Sequence, residues 1–472
     1  MCSGACARLK ASGGERPLRR VVAWLAAFSL AAAGCGGPPP PRLLLLISVD
    51  TLRADELGVY GSSRGLTPNL DEFAAGANVF TLAYAASSFT LPSVAGLLTG
   101  RYPEELGIWN NESGLPDSVP TLATELGSRG WRTGGVVGNW VLRRESGVAR
   151  GFDRFDDRFP EKEAVRGWPE RSAEATTDAA IESVEGCTQI PSTRCFVWVH
   201  YQDPHGPYDP PGDARERLLP AERRAEDGTR SLSVGEDHRG EGVIPRYQFL
   251  QDRHEVAWYR AGYRAEIQYV DQQIGRLLET VESAGLGDRA VIVFTADHGE
   301  SLGENGVWFA HGSRLGDEQV RVPLLVRIPG RGPSRRDDPV TLVDLMPSLL
   351  ALLEGLPLDS RGLGRDLFGP GAERGASTPY FATLGADEVE RVGIIANGFK
   401  FVATKQGGVY AGRLYEVGDE EVELSAAAPQ VAADLRARLG ALRAGLERSA
   451  ETRPQLDSED RERLRQLGYL DE

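Results

Sequence analysis

The chain has 472 residues, 41% of them hydrophobic and 26% charged, and a formal net charge of −15. Length and composition fit one large globular domain with a smaller companion and exclude a low-complexity or disordered chain. The acidic balance argues against nucleic acid as a partner and against an anionic lipid surface held through a basic patch.

In chain order, Arg16, Arg19 and Arg20 precede the apolar run VVAWLAAFSLAAAG and Cys35. The run is short for a membrane span and suits the apolar region of an export signal. LAAAGC resembles a bacterial lipobox, so residues 1–34 are expected to be removed and Cys35 to become the lipidated first residue. An ordinary cleaved signal with a free Cys35 thiol is the alternative. Cleavage removes five basic residues and one acidic, a charge of +4, and leaves −19. Residues 35–42, rich in Gly and Pro, form a stiff tether. A lipid at Cys35 holds the chain on a membrane surface without a transmembrane helix. The expected location is the bacterial cell envelope.

RLLLLISVD, ending at Asp50, is a continuous apolar run of the kind found in a central strand covered on both faces. TPNLDEFAAGA, opened by Thr67, reads as a helix. In SSFTLPSVAGLLTGRYP, Pro92 and Gly100 bracket a second helix, which places Thr90 at its N-terminus, where free amides and the macrodipole favour negative charge. Thr90 is there either as a helix cap or as a nucleophile aimed at an anionic ester. SVPTLATELGSRG is a third helix. CFVWVH ends a strand at His200, and RAVIVFTADHGE ends another near Asp297 and His298. Between them, residues 212–248 are polar and Gly-rich and read as a surface insertion; YRAEIQYVDQQIGRLLETVESAGL is a long helix. Strands alternating with helices predict a doubly wound α/β fold whose ligands gather at the carboxyl ends of the strands. From Pro379, RVGIIANGFKFVATKQGGVYAGRLYEV reads as an antiparallel sheet with NG and GG turns, followed by a helix and a charged tail over 451–472. The organisation is thus 43–375 for the α/β domain and 376–450 for a C-terminal α+β subdomain. Cys187 and Cys195, eight apart in an exported chain, are expected to form a disulfide, the alternative being two small core residues.

Asp50, Asp297 and His298 supply carboxylates and one imidazole, a donor set that suits Mn²⁺, Zn²⁺, Mg²⁺ or Ca²⁺. Any one of them alone is more commonly a cap or a packing residue. A metal would activate the Thr90 hydroxyl. His205, in a Pro-rich loop after a strand, and His311, just past the Asp297–His298 pair, are candidates to stabilise oxyanion charge. His238 and His254 read as surface residues; His200 falls, with Asp50 and the Asp297–His298 pair, at a strand end where ligands gather, the alternative being a core histidine.

Together, ISVDTLRADELGVYG, TLPSVAGLLTGRYP, HYQDPHGPYDPP, VIVFTADHGESLGENG and RVPLLVRIPG resemble the sulfatases of the alkaline phosphatase superfamily, over roughly residues 43–425. TLVDLMPSLLALLEG and LYEV match its later motifs. The resemblance implies a mixed, mainly parallel sheet sandwiched by helices with a small C-terminal antiparallel subdomain, and one divalent metal. It places Asp50, Asp297 and His298 on metal ligands, Thr90 on the nucleophile and His205 on a substrate-oxyanion histidine, with His311 near a position where many sulfatases have Lys. The sequence departs from the family where Cys or Ser is converted to formylglycine, because Thr90 cannot give that aldehyde. Val94 stands for the usual Arg, Thr51 for a second acid, Asn139 and Val141 for the Lys and His of a GKWH-like motif, and Asn305 for a metal-proximal His. Asn139 and Asn305 are retained as candidate substrate contacts. The implied function is hydrolysis or transfer of a sulfate or phosphate ester through Thr90, as in the similar lipoteichoic acid synthases and phosphoethanolamine transferases. An inactive lipoprotein of the same fold, acting as a binder, is the alternative.

Overall fold

The structure, a computed structural model, describes residues 40–446 apart from 163–166, 168, 190–191, 237–238, 358–364, 370–377, 386–388 and 407–408. The expected signal, Cys35, most of the tether, His238 and the 451–472 tail lie outside the described residues.

The main sheet contains β1 (Leu43–Val49), β2 (Asn78–Tyr84), β3 (Arg132–Val137), β4 (Arg154–Asp156), β5 (Cys195–Tyr201), β6 (Ala290–Ala296), β7 (Arg321–Arg327), β8 (Ser334–Arg336) and β9 (Val340–Thr341). Their order is β8-β2-β7-β6-β1-β5-β3-β4, with β9 also on β2. β1 runs parallel to both β5 and β6, and β7 is antiparallel to β6 and β2. Every residue of β1, β5 and β6 is buried. Burial on alternate side chains alike requires cover on both faces of the sheet, which is why these runs are apolar throughout rather than alternating.

The cover comes from α1 (Pro68–Ala74), α2 (Thr90–Thr99), α3 (Leu122–Gly127), α4 (Ala173–Thr188), α5 (Ala214–Glu222), α6 (Val256–Ser283) and α7 (Leu345–Glu354). α1, α4 and α5 pack on α6, whereas α2 packs with α3 and α7. α2 begins at Thr90, has Pro92 in its first turn and ends on Gly100 at φ 64°, a left-handed conformation that glycine adopts without cost. Among the described residues no helix is long and apolar enough to cross a membrane. Cys187, at the end of α4, is bonded to Cys195, at the start of β5, with Cα atoms 6.0 Å apart.

The second sheet is an antiparallel meander of β10 (Tyr380–Leu384), β11 (Glu390–Ala396), β12 (Phe399–Gln406) and β13 (Val409–Glu416). Its NG turn places Asn397 at φ 56° and Gly398 at φ 80°, the left-handed pair a tight hairpin requires. α8 (Pro429–Gly445) covers it, burying Leu435 and Leu439 with Ile394, Phe401 and Leu414. The mixed, mainly parallel sheet with helices and a small antiparallel sheet is the fold class the sequence implied.

In the polar 212–248 stretch most of the described charged residues are exposed. It carries α5, and Arg215, Glu222, Leu232, Ile244, Tyr247 and Gln248 are buried. Glu222 pairs with Arg264 of α6, and the Arg215 guanidinium lies 3.8 Å from the Trp258 ring. Arg215 and Glu222 can be buried because they are matched across the α5–α6 contact.

Candidate active site

Val49 and Ala296 are register partners at the ends of β1 and β6, so the next residues, Asp50 and Asp297, leave the sheet side by side. The chain then turns at Thr51, a non-glycine residue at φ 56°. Its carbonyl accepts a bond from Tyr263 Oη at 2.8 Å. Asp297 Oδ1 accepts from the amides of Thr51 (3.2 Å) and His298 (2.7 Å). That leaves Asp297 Oδ2 facing His298 Nε2 at 3.6 Å. Asp50 Oδ1 lies at the same distance, 3.6 Å, from His298 Nε2. His298 Nδ1 donates to Gly299 O at 2.9 Å, which makes Nε2 the lone-pair nitrogen of the neutral ring.

Thr90 Oγ1 sits 3.3 Å from His298 Nε2. Two contacts aim the head of α2 at this point. Ser93, one turn on, donates to Asp297 O at 2.6 Å, and Asn111 Oδ1 accepts from the Leu91 amide at 2.9 Å. Thr90, Asp50, Asp297 and His298 are all fully buried. The structure therefore brings together the four residues expected to share an ion.

These residues fit a divalent cation. Asp50 Oδ1 and Asp297 Oδ2 have no hydrogen-bond partner, nor does His200 Nε2, which lies 3.7 Å from Asp50 Oδ2. Two carboxylate oxygens and an imidazole lone pair facing one another in the interior are costly unless a cation joins them. Donors roughly 2.0–2.4 Å from one ion are spaced about as these are. Among the described residues this is the cluster of three acid, His or Cys side chains able to hold a metal. Burial and the Asp50 charge push the Asp297 carboxyl well above the usual range, while Asp50, despite its burial, is held below it by His205, His200 and His298. Without a cation the pair cannot both be anionic cheaply.

Asn139 and Asn305 are placed differently from each other. Asn139 Nδ2 bonds Asp50 Oδ2 and Oδ1 accepts from the Val141 amide at 2.7 Å. One of its two amide hydrogens thus holds a candidate ligand while its oxygen caps a turn. Asn305 is exposed, in a tight turn at φ 52°, and among the described contacts none joins it to the cluster; the sequence motif continues past the point where the chain leaves the site. Val94 is fully buried in the core, so no cation replaces the family's Arg from that position.

His205 and His311 flank the cluster. The His311 ring is 4.5 Å from that of His298 and 5.1 Å from that of His205. His205 Nδ1 donates to Gly206 O at 2.7 Å. His311 Nδ1 lies 3.1 Å from Glu300 Oε1, and Tyr208 Oη donates to Glu300 Oε2 at 3.0 Å. Burial pulls the His205 imidazole down to about 4 and His311 down to about 3, and pushes Glu300 up to about 7. Sequence reasoning set His200 at a strand end with Asp50 and the Asp297–His298 pair, with a core histidine as the other reading; it missed Asn111, Glu300 and Tyr208. Glu300 follows directly on the DHG run and Tyr208 closes HGPY, so both stood beside a recognised motif; Asn111 carried no local signal.

The sulfatase family's sequence model matches residues 42–356. An ulvan-active sulfatase of Formosa agariphila is 28% identical over 331 residues, 65% of this chain and 60% of that protein. Arylsulfatase A of Bos taurus is 28% identical over 408 residues, 78% and 75% of the two chains. The chain thus spans less than two thirds of the first relative's length and three quarters of the second's. The phosphonate monoester hydrolase of Agrobacterium radiobacter shares the fold, with a TM-score of 0.67 at 21% identity, covering 86% of this chain and 95% of that one.

Proposed function

This chain belongs to the sulfatase family, and from that premise we propose that it is a metal-dependent hydrolase of sulfate or phosphate esters in which Thr90 is the nucleophile. One observation carries the reading: Thr90 Oγ1, at a helix head, is 3.3 Å from an imidazole nitrogen that also faces one partnerless oxygen of each of two buried carboxylates.

Asp50, Asp297 and His298 would hold the metal. When bound, a divalent cation supplies Lewis acidity, which favours the alkoxide of a neighbouring hydroxyl and neutralises developing charge on an ester oxygen. The chain's own residues do the rest. α2 presents Thr90 with its amides and dipole behind it, a second push toward the alkoxide. His205 flanks the cluster and, once protonated, donates from Nε2 to an oxyanion oxygen, with His311 beside it. Val94 and Asn139 supply no positive charge, which supports a monoanionic ester, either a sulfate monoester or a phosphate diester, over a dianionic phosphate monoester. The relatives' names, ulvan-active sulfatase and arylsulfatase A, favour sulfate.

The test is a chromogenic panel of 4-nitrophenyl sulfate, 4-nitrophenyl phosphate and bis(4-nitrophenyl) phosphate, with metal analysis and intact mass of the quenched protein. Turnover should require a divalent ion, a sulfuryl or phosphoryl adduct should map to Thr90, and Thr90→Ala should lose at least about 10⁴-fold in kcat. Wild-type activity in Thr90→Ala would end the nucleophile assignment. A protein with no metal and no turnover would instead be the binder of the same fold.

The proposed location is the bacterial cell envelope, through a lipid on Cys35. The Cys187–Cys195 bond supports an oxidising compartment. Metabolic labelling with an alkynyl fatty acid should tag the protein and fail for Cys35→Ala; equal labelling of both would refute the anchor.

A further inference from the structure

Threonine Cβ bears a single oxygen. A sulfuryl or phosphoryl group held on Thr90 Oγ1 has no elimination route of the kind an aldehyde hydrate offers through its second hydroxyl. It must leave by attack of water on sulfur or phosphorus, and that step needs a base. We propose, resting on the Thr90 reading above, that His311 is this base and that Glu300, clamped by Tyr208, is the residue that positions it.

Glu300 is fully buried. Its two carboxylate oxygens are each engaged, Oε1 by His311 Nδ1 at 3.1 Å and Oε2 by Tyr208 Oη at 3.0 Å. A carboxylate so used is an orienter rather than a ligand or a base itself. With Nδ1 turned to Glu300, Nε2 lies on the opposite edge of the His311 ring, which stands between the rings of His298 and His205. The backbone is fixed as well. Gly312 is at φ 83°, so close to Phe89 that a Cβ there would lie 2.4 Å from that ring. Its carbonyl accepts from Thr383 Oγ1 of β10 at 2.9 Å. Phe89 is the residue before Thr90, so the base and the nucleophile are registered to each other through one glycine–phenylalanine contact.

His205 is the other imidazole in reach, and the two differ in what stands behind them. His205 Nδ1 meets a main-chain carbonyl, whereas His311 Nδ1 meets a carboxylate, which holds the imidazolium that forms when the ring accepts a proton. His311 is therefore suited to taking a proton from water, whereas His205 has no carboxylate on its Nδ1 and donates to an oxyanion only when its ring is already protonated.

The step balances. One O–H bond of water breaks and its proton goes to His311 Nε2. The water oxygen forms a bond to sulfur or phosphorus as the bond from that atom to Thr90 Oγ1 breaks. The proton then passes to Thr90 Oγ1, restoring the hydroxyl, and hydrogen sulfate or the phosphate monoester departs.

The experiment follows formation and clearance of the Thr90 adduct by rapid quench and intact mass, using full-length, Mn²⁺-loaded protein with 4-nitrophenyl sulfate and bis(4-nitrophenyl) phosphate. In Glu300→Gln and His311→Asn, clearance should slow by about 100-fold or more. The first nitrophenolate should still appear as a burst approaching one equivalent, and Thr90 should be mostly modified at steady state. Added imidazole should speed clearance in His311→Asn but not in Glu300→Gln, where the ring is still present. Tyr208→Phe, which keeps the carboxylate, should slow clearance by only about tenfold. An adduct that forms and clears at the wild-type rate in both principal variants overturns this assignment and leaves the Thr90 reading intact. No adduct on Thr90 in any protein, wild type included, overturns the Thr90 reading and this inference with it.

Discussion

Two buried charged clusters stand in contrast. At Lys400 of β12, fully buried, Nζ lies 2.7 Å from Asp317 Oδ1 and is also paired with Glu420, whose side chains keep 19% and 18% exposure. The rings of Phe381 and Tyr84 are 5.3 and 5.9 Å from the ammonium. Burial alone would lower the lysine's pKa, yet the two carboxylates hold it well above the usual value. At the ends of β1 and β6 the charges are as deeply buried, but both are acids, and among the described residues no Lys or Arg pairs with either. Burial of charge is common to both. What separates a structural tie from a candidate site is whether the protein itself supplies the opposite charge.

The contrast is broken most severely through Asp297. Asp297→Asn keeps an oxygen for the two amides that bond Oδ1 but removes the charge toward His298. Metal content should fall to background and kcat/KM by at least about 10⁴-fold. The metal-free variant should be no less stable than metal-free wild type, because a repelling buried acid has gone. Added metal at 100 times Kd should stabilise wild type by about 2.7 kcal/mol and leave the variant unmoved. Denaturant midpoints with and without the ion measure both; a large loss of stability in the variant without metal would make Asp297 a structural residue.

Lys400→Met reverses the pattern. It strands Asp317 and Glu420 beside an apolar side chain and should cost about 3 kcal/mol, with partial exposure of the acids limiting the loss. Metal affinity and kcat of the folded fraction should not change. A loss of metal binding here would mean that the C-terminal sheet sets the geometry of the cluster, and the separation of the two regions would fail.

The same contrast explains what could be read from the sequence. Strand ends at Asp50 and Asp297 and the helix head at Thr90 were legible because each follows from a local pattern: an apolar run that stops at an acid, and a Pro and Gly that bracket a helix. The register of Val49 with Ala296, which makes the two acids neighbours, is a long-range pairing; the sequence reaches only their common place at strand ends of an α/β sheet. Local pattern failed where function depends on which partner a polar group finds. Asn139, a candidate neutral donor, also bonds Asp50 and takes the Val141 amide, partners that no local pattern announces. Asn305 shares a motif with His298 but ends exposed. Within the polar 212–248 stretch, the pairing of Glu222 with Arg264 is invisible to composition. His200 could be read as a strand-end residue near Asp50 or as a core histidine, and its neighbour across the sheet, Ser48, 2.9 Å from Nδ1, leaves the ring's other nitrogen toward Asp50.

Asn139 offers the finest division between the two kinds of burial, because it is a neutral group placed where the family has a cation. A lysine there would pair with Asp50 from within the protein and compete with an ion for the same charge. The amide satisfies Asp50 Oδ2 without neutralising it, and Oδ1 is left toward His298 with no partner. Asn139→Ala removes that hold, and the loss should appear in the ion's grip rather than in the chemistry. Metal affinity is expected to fall about 10–100-fold, with kcat recovered when the ion is saturating. Asn139→Lys should weaken the metal further than Ala does, despite restoring the family's residue, since it supplies the charge the site lacks. Metal titrations of the two variants, read by activity and by calorimetry, decide the point: a kcat deficit that saturating metal does not repair would move Asn139 onto the substrate, and tighter metal binding in the lysine variant would show that Asp50 is not limited by unpaired charge at all.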